Sequence, residues 1–193
     1  MRLLNRDGEI HYHESFLSAR EATEWLIILM SSLEWQEETL FIAGRRVSVP
    51  RLTAWYGCAA AKYRYSGVTH HPLPWTPDLL AVKDRVESIG GFSFNSVLAN
   101  LYRNGSDSIG WHADDERELG PRPLIASLSL GAERTFEIRH NQTREILRLP
   151  LHSGSLLIMR GDFQSCWKHR IPKERAILMP RINLTFRTIL PQD

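Results

Sequence analysis

Apolar and polar positions change rhythm along this chain. Near its start, Ala22, Trp25, Leu26, Leu29 and Leu33 recur at helical spacing. Ser18 precedes them with Glu21 three residues on, the reciprocal pairing of a capping box. A second helix is expected to start at Thr76-Pro77, a capping residue before a proline at the first helical position. Its apolar stripe is Leu79, Val82, Val86 and Ile89, and Gly90-Gly91 is expected to stop it. From Ser93 onward short runs separated by turn residues take over. The expected strands are 96–103, 109–113, 124–130, 134–139, 146–149, 155–159, 166–170 and 181–189, punctuated by Asn104-Gly105, His140-Asn141 and Ser153-Gly154. Serial short strands behind two helices predict one α+β, mainly β, domain over residues 1–193. The best-fitting architecture is a double-stranded β-helix, or jelly roll, with the N-terminal helices flanking one sheet.

Between the helices, residues 35–75 have a different character and read as strands and loops. Arg45, Arg46, Arg51, Lys62 and Arg64 are interleaved there with Trp55, Tyr56, Tyr63 and Tyr65. The formal net charge is only +2, so any nucleic-acid contact has to come from a local patch such as this one. The two cysteines, Cys58 and Cys166, form no CxxC pair, which argues against a structural zinc site. The start of the chain reads as too polar for a signal peptide, and the apolar run from Trp25 to Met30 is too short to span a bilayer. A soluble cytoplasmic protein without membrane contact is expected.

The candidate chemistry begins at His112-Ala-Asp114. In an extended segment residues i and i+2 point the same way, so an imidazole and a carboxylate converge. His169 lies on a later expected strand. Two histidines and one carboxylate make the facial triad of non-haem Fe(II) oxygenases, with coordination positions left open. Taken alone, a His-x-Asp pair occurs often by chance and is usually surface chemistry. The last strand adds weight. Arg181, Asn183, Thr185 and Arg187 share one face, and Ile182, Leu184 and Phe186 the other. In a jelly roll the polar face can line the cavity, where two arginines need anionic partners; on an outer face they would simply be solvated. Asn100 and Tyr102, one strand earlier, place an amide and a phenol side by side.

Together these residues resemble the AlkB dioxygenases. The order is Asn100-x-Tyr102, His112-x-Asp114, His169, then Arg181-x-Asn183-x-Thr185-Phe186-Arg187. The resemblance runs from Val49 to Leu190, with further matches at Val49-Pro-Arg51, Tyr63-Arg-Tyr65-Ser-Gly67, Asp115-Glu-Arg-Glu-Leu119, Ile125-Ala-Ser-Leu-Ser129 and His152-Ser-Gly-Ser155. It implies that His112, Asp114 and His169 bind Fe(II) as the catalytic centre. It implies that Asn100, Tyr102, Arg181, Asn183, Thr185 and Arg187 hold 2-oxoglutarate. Residues 35–75 would form a nucleotide-recognition lid within the domain. Tyr63 and Tyr65 would line a base pocket, Asp115 and Glu116 would lie near the base edge, and Arg45, Arg46 and Arg64 would meet the substrate strand. The alkylated base would stack on His112. Two departures stand out: Trp111 is bulky where a small or aliphatic neighbour to the metal ligand is expected, and Ala43 stands where duplex-acting relatives carry an aromatic wedge.

The resemblance implies oxidative dealkylation of bases such as 1-methyladenine and 3-methylcytosine, with O2 and 2-oxoglutarate consumed and formaldehyde, succinate and CO2 released. The partner would be alkylated DNA, or RNA, reached by base flipping or as a single strand. A monomer located with the nucleoid or in the nucleus is expected. Two other readings stay open: a 2-oxoglutarate oxygenase acting on a protein or small molecule, which needs no basic-aromatic lid, and a metal-binding jelly roll without catalysis, which gives no reason for Arg181 and Arg187 together.

Overall fold

The structure is a computed structural model that describes residues 1–42, 45–65 and 68–191. It opens with β1 (Arg2–Leu4), β2 (Glu9–His13) and α1 (Ala19–Ser32). The middle stretch holds β3 (Gln36–Ile42), β4 (Arg45–Gly57), β5 (Tyr63–Tyr65), β6 (Val68–His70) and β7 (Leu73–Pro74), followed by α2 (Pro77–Glu87). Next come β8 (Ser96–Tyr102), β9 (Ile109–His112), β10 (Ile125–Gly131), β11 (Arg134–His140) and β12 (Ile146–Leu151). The chain ends with β13 (Leu156–Arg160), α3 (Phe163–Cys166), β14 (Trp167–Ile171) and β15 (Arg181–Arg187). Among the described residues, nine strands form a major sheet in the order β1-β2-β13-β10-β15-β8-β4-β3, with β7 beside β4. Four form a minor sheet, β12-β11-β14-β9, and β5 pairs with β6.

Both helices form where the pattern predicts. Ser18 accepts from the Glu21 amide while the Glu21 carboxylate accepts from Ser18, and Thr76 accepts from the Leu79 amide ahead of Pro77. The second helix ends at Glu87, before Gly90-Gly91, so Ile89 packs on the core from outside it. All eight expected strands are present, with ends shifted by at most two residues. Two strands not expected from the pattern, β1 and β2, extend the major sheet, β2 by pairing with β13 and β1 by pairing with β2. Their alternation is legible afterwards: Ile10 and Tyr12 are buried between Glu9, His11 and His13.

The sheets need two different interiors. On one side of the major sheet, Ile182, Leu184 and Phe186 of β15 pack with Leu29 of α1 and Leu79, Val82 and Val86 of α2. On the other, Tyr102, Ile125, Leu157 and Met159 meet Phe136, Ile138 and Trp167 of the minor sheet. Strand β15 is therefore buried on both faces. Its polar face, Arg181, Asn183 and Thr185, looks into the space between the sheets, and Arg181 is 1% exposed. The reading in which these arginines are solvated on an outer face is thus excluded. The middle stretch is in part sheet: β4 pairs with β8 through Leu52 to Gly57, and Tyr56 is core.

Candidate active site

Register brings the histidines together. β14 pairs antiparallel with β9, and His169 and His112 are direct partners across the ladder, their ring centroids 4.2 Å apart. Asp114 lies two residues beyond His112, just past the strand end. Its backbone N–H donates to Gln164 Oε1 of α3 at 2.9 Å, which fixes the turn that aims the carboxylate inward. One ligating atom from each of His112, Asp114 and His169 lies within 4.8 Å of the others. His112 Nδ1 sits 2.8 Å from the Gly110 carbonyl, which makes it the protonated nitrogen and leaves Nε2 free to bind a metal. His169 Nε2 is 4.0 Å from Asp114 Oδ2.

The charges agree with a metal site. Burial pushes His112 below the usual imidazole range and, with neighbouring His112, pushes His169 down to about 3, so both are neutral lone-pair donors at neutral pH. Burial alone would raise the Asp114 carboxyl; Arg187 and the two histidines outweigh it and hold it below its ordinary value. Arg187 Nη2 donates to Asp114 Oδ1 at 2.7 Å, and its Nε is buried without a partner. Donor types, protonation and geometry together fit a divalent first-row metal of the 2-His-1-carboxylate class.

The other end of β15 carries Arg181. It faces Tyr102 in register, with its guanidinium 5.2 Å from the ring centroid. One proton goes to Ser129 Oγ at 2.9 Å, while Nε and Nη1 are buried with no partner. Burial pushes its pKa down to about 10, so it remains a cation at neutral pH. A buried, incompletely paired guanidinium costs several kcal/mol unless an anion meets it. Asn183 donates to Ser127 Oγ and the Leu128 carbonyl, and Thr185 donates to Asn183, so these two are wall rather than free donors. Asn100 is buried opposite Asn183 and accepts from Arg51 Nε at 2.6 Å.

On the substrate side the residues separate. Asp115 is exposed. Glu116 is half-buried, with Oε2 in contact with neither solvent nor a partner, and burial raises its carboxyl above the usual range. Ala43 and the side chains of Arg45, Arg46, Tyr63, Arg64 and Tyr65 lie outside the described residues; the backbone places Arg45 and Arg46 on β4 and Tyr63, Arg64 and Tyr65 on β5.

The comparisons with known proteins follow the same lines. The model of the 2OG-Fe(II) oxygenase superfamily matches residues 9–187. The human alpha-ketoglutarate-dependent dioxygenase alkB homolog 3 is 44% identical over 93% of this chain and 65% of its own length. DNA oxidative demethylase ALKBH2 of Arabidopsis thaliana is 32% identical over 97% of this chain and 68% of its own. The chain is an AlkB-family 2OG-Fe(II) oxygenase. Mouse ALKBH2 is 48% identical over 78% of this chain and 66% of its own. The solved structure of OsALKBH1 superposes with a TM-score of 0.64 at 18% identity, covering 97% of this chain and all of that one, which supports the jelly-roll fold. The chain spans just under two thirds of the length of the alkB homolog 3 relatives.

This AlkB-family site uses residues that sequence reasoning did not assign to it. Arg51, a basic residue of the middle stretch and the end of the Val49-Pro-Arg51 match, reaches Asn100. Ser127 and Ser129 hold Asn183 and Arg181; their alternation on β10 was the available signal. Gln164 had none, because it acts through a four-residue helix that no pattern announces.

Proposed function

We propose that this chain oxidatively removes alkyl groups from nucleobases. The observation that carries the reading is the union, in one buried space, of a His-Asp-His cluster and an incompletely paired arginine on the same strand as the arginine that grips Asp114. When bound, Fe(II) with 2-oxoglutarate and O2 supplies the oxidation of the N-alkyl carbon, giving succinate, CO2, formaldehyde and the intact base. The chain's own residues do the rest. His112, Asp114 and His169 would hold the metal. Arg181 would meet a 2-oxoglutarate carboxylate, with Tyr102 and Asn100 as its neighbours. Arg187 keeps Asp114 ionised and aimed.

The nucleic-acid substrate rests on relatives named as DNA oxidative demethylases and on the basic-aromatic stretch. The β3–β4 hairpin and β5 would be the recognition lid, with Arg45, Arg46, Arg64, Tyr63 and Tyr65 towards the strand. The protein would act as a monomer wherever its DNA or RNA lies. No helix among the described residues is long and apolar enough to cross a membrane. 1-Methyladenine and 3-methylcytosine are cationic, and a carboxylate in a dry pocket favours a cation. Of the two acids after Asp114, Glu116 is the one turned away from water.

The test is incubation of the chain with methylated single-stranded, duplex and RNA oligonucleotides, iron and 2-oxoglutarate, followed by mass spectrometry. Loss of 14 mass units per lesion, roughly one methylene, is expected. Glu116→Gln should slow cationic lesions more than neutral 1-methylguanine. Succinate formation without demethylation of any oligonucleotide would move the substrate to a protein or small molecule.

A further inference from the structure

Trp111 immediately precedes His112, and the fold shows what it does. Strand β9 has four residues and lies at the edge of the minor sheet, paired among the described residues only with β14, through a ladder whose register shifts between His169 and Ile171. So short an edge strand has little backbone pairing to hold it. Yet its last residue is His112, and Asp114 follows. Alternation sends His112 inward and Trp111 to the outer face.

There two guanidinium groups stand against the Trp111 ring. Arg170 Cζ is 4.5 Å from the ring centroid and Arg139 Cζ is 4.4 Å, both well inside cation–π range. Arg170 comes from the adjacent strand β14, and Arg139 from β11, one strand further in. Two like charges around one ring need a counterion. Buried Glu137 supplies it, accepting from Arg170 at 2.6 Å and, on its other side, from Arg148 of β12 at 2.8 Å. Glu137 is the register partner of both. The chain Arg148–Glu137–Arg170–Trp111 therefore crosses all four strands of the minor sheet and ends on the residue before the metal ligand.

We propose that Trp111 is a positioning residue: gripped by Arg139 and Arg170, it ties edge strand β9 to the sheet, so that His112 and Asp114 stay opposite His169. The proposal deepens the reading of these three residues as the metal site and rests on it. Groups that orient metal ligands from behind typically change affinity by about 10–100-fold when removed.

The experiment is titration of the metal-free protein with Co(II), following the visible bands and the dissociation constant. All measurements are made at a temperature where circular dichroism shows each variant folded. Trp111→Ala should bind Co(II) at least about 10-fold more weakly and with altered bands. Trp111→Phe, which keeps a ring for the arginines, should restore most of the affinity and the bands, and Arg139→Gln should fall between. Wild-type affinity and spectrum in Trp111→Ala would overturn the proposal. If that variant does not fold, the same result in Arg139→Gln would do so. Wild-type protein that gives no Co(II) bands would overturn the metal site itself, a failure visible before any variant is made.

Discussion

Arg134 and Arg181 both lie against one tyrosine. Arg134 rises from β11 of the minor sheet and Arg181 from β15 of the major sheet, and their guanidinium carbons lie 5.5 and 5.2 Å from the Tyr102 ring centroid. Each is 1% exposed. Every nitrogen of Arg134 has a partner: it donates to Glu174, to the Pro172 and Asp107 carbonyls at 2.6 and 2.9 Å, and to that of Asn104 at 3.3 Å. These bonds tie β11 to two connecting segments, and the joint is tight. A Cβ on Gly105 would sit 1.8 Å from the Glu174 carbonyl oxygen, so only glycine fits. Arg181 has one hydroxyl partner and two buried nitrogens without any. Burial is equal and satisfaction is opposite. A buried cation that the fold has paired holds the structure; one left open marks where an anion is to come.

The largest effect should come from the paired arginine. Arg134→Met should cost about 3–5 kcal/mol of stability, the range for removing one partner of a buried ion pair. Urea unfolding measures it, and an unchanged midpoint would erase the distinction.

Arg181→Met should show the reverse pattern, a fold as stable as the wild type or more so. Calorimetry on the Mn(II)-loaded protein should find 2-oxoglutarate binding weakened about 100-fold, the worth of roughly two charge-assisted hydrogen bonds. At 100 times its dissociation constant 2-oxoglutarate should stabilise the wild type by about 2.7 kcal/mol against unfolding. A similar gain in the variant would show that Arg181 is not the anion's partner.

The smallest effect sharpens the Arg134 side. Burial alone would raise the Glu174 carboxyl, but bonds from the Thr135 hydroxyl and amide and from Arg134 outweigh it and hold it below 4.5. An acid whose folded pKa is depressed contributes stability that is complete above its unfolded value and is lost as pH falls through the folded one. Wild-type stability should therefore decline below about pH 4.5 more steeply than that of Glu174→Gln. Parallel curves would place the acid sensitivity elsewhere.

Sequence alone determined α1, α2, the eight strands from β8 onward and the chemistry they carry. Helical spacing and capping residues set α1 and α2, because those preferences are local. Strict alternation on β15 put Arg181, Asn183, Thr185 and Arg187 on one face, because the strand period is two. His112-x-Asp114 and the later His169 supplied a donor set whose identity does not depend on packing. What alternation cannot say is which face meets water, since a polar face is ordinarily the wet one. Only the second sheet, closing over β15, made that face an interior and turned two surface-like arginines into a site. Register is likewise non-local: His112 opposite His169, Arg51 at Asn100 and Gln164 behind Asp114 are separated by 49 to 57 residues along the chain. The outward turn of Trp111 against Arg139 and Arg170 belongs to the same class. Such contacts exist because strands distant in sequence pair side by side, and no period within one strand encodes its neighbour.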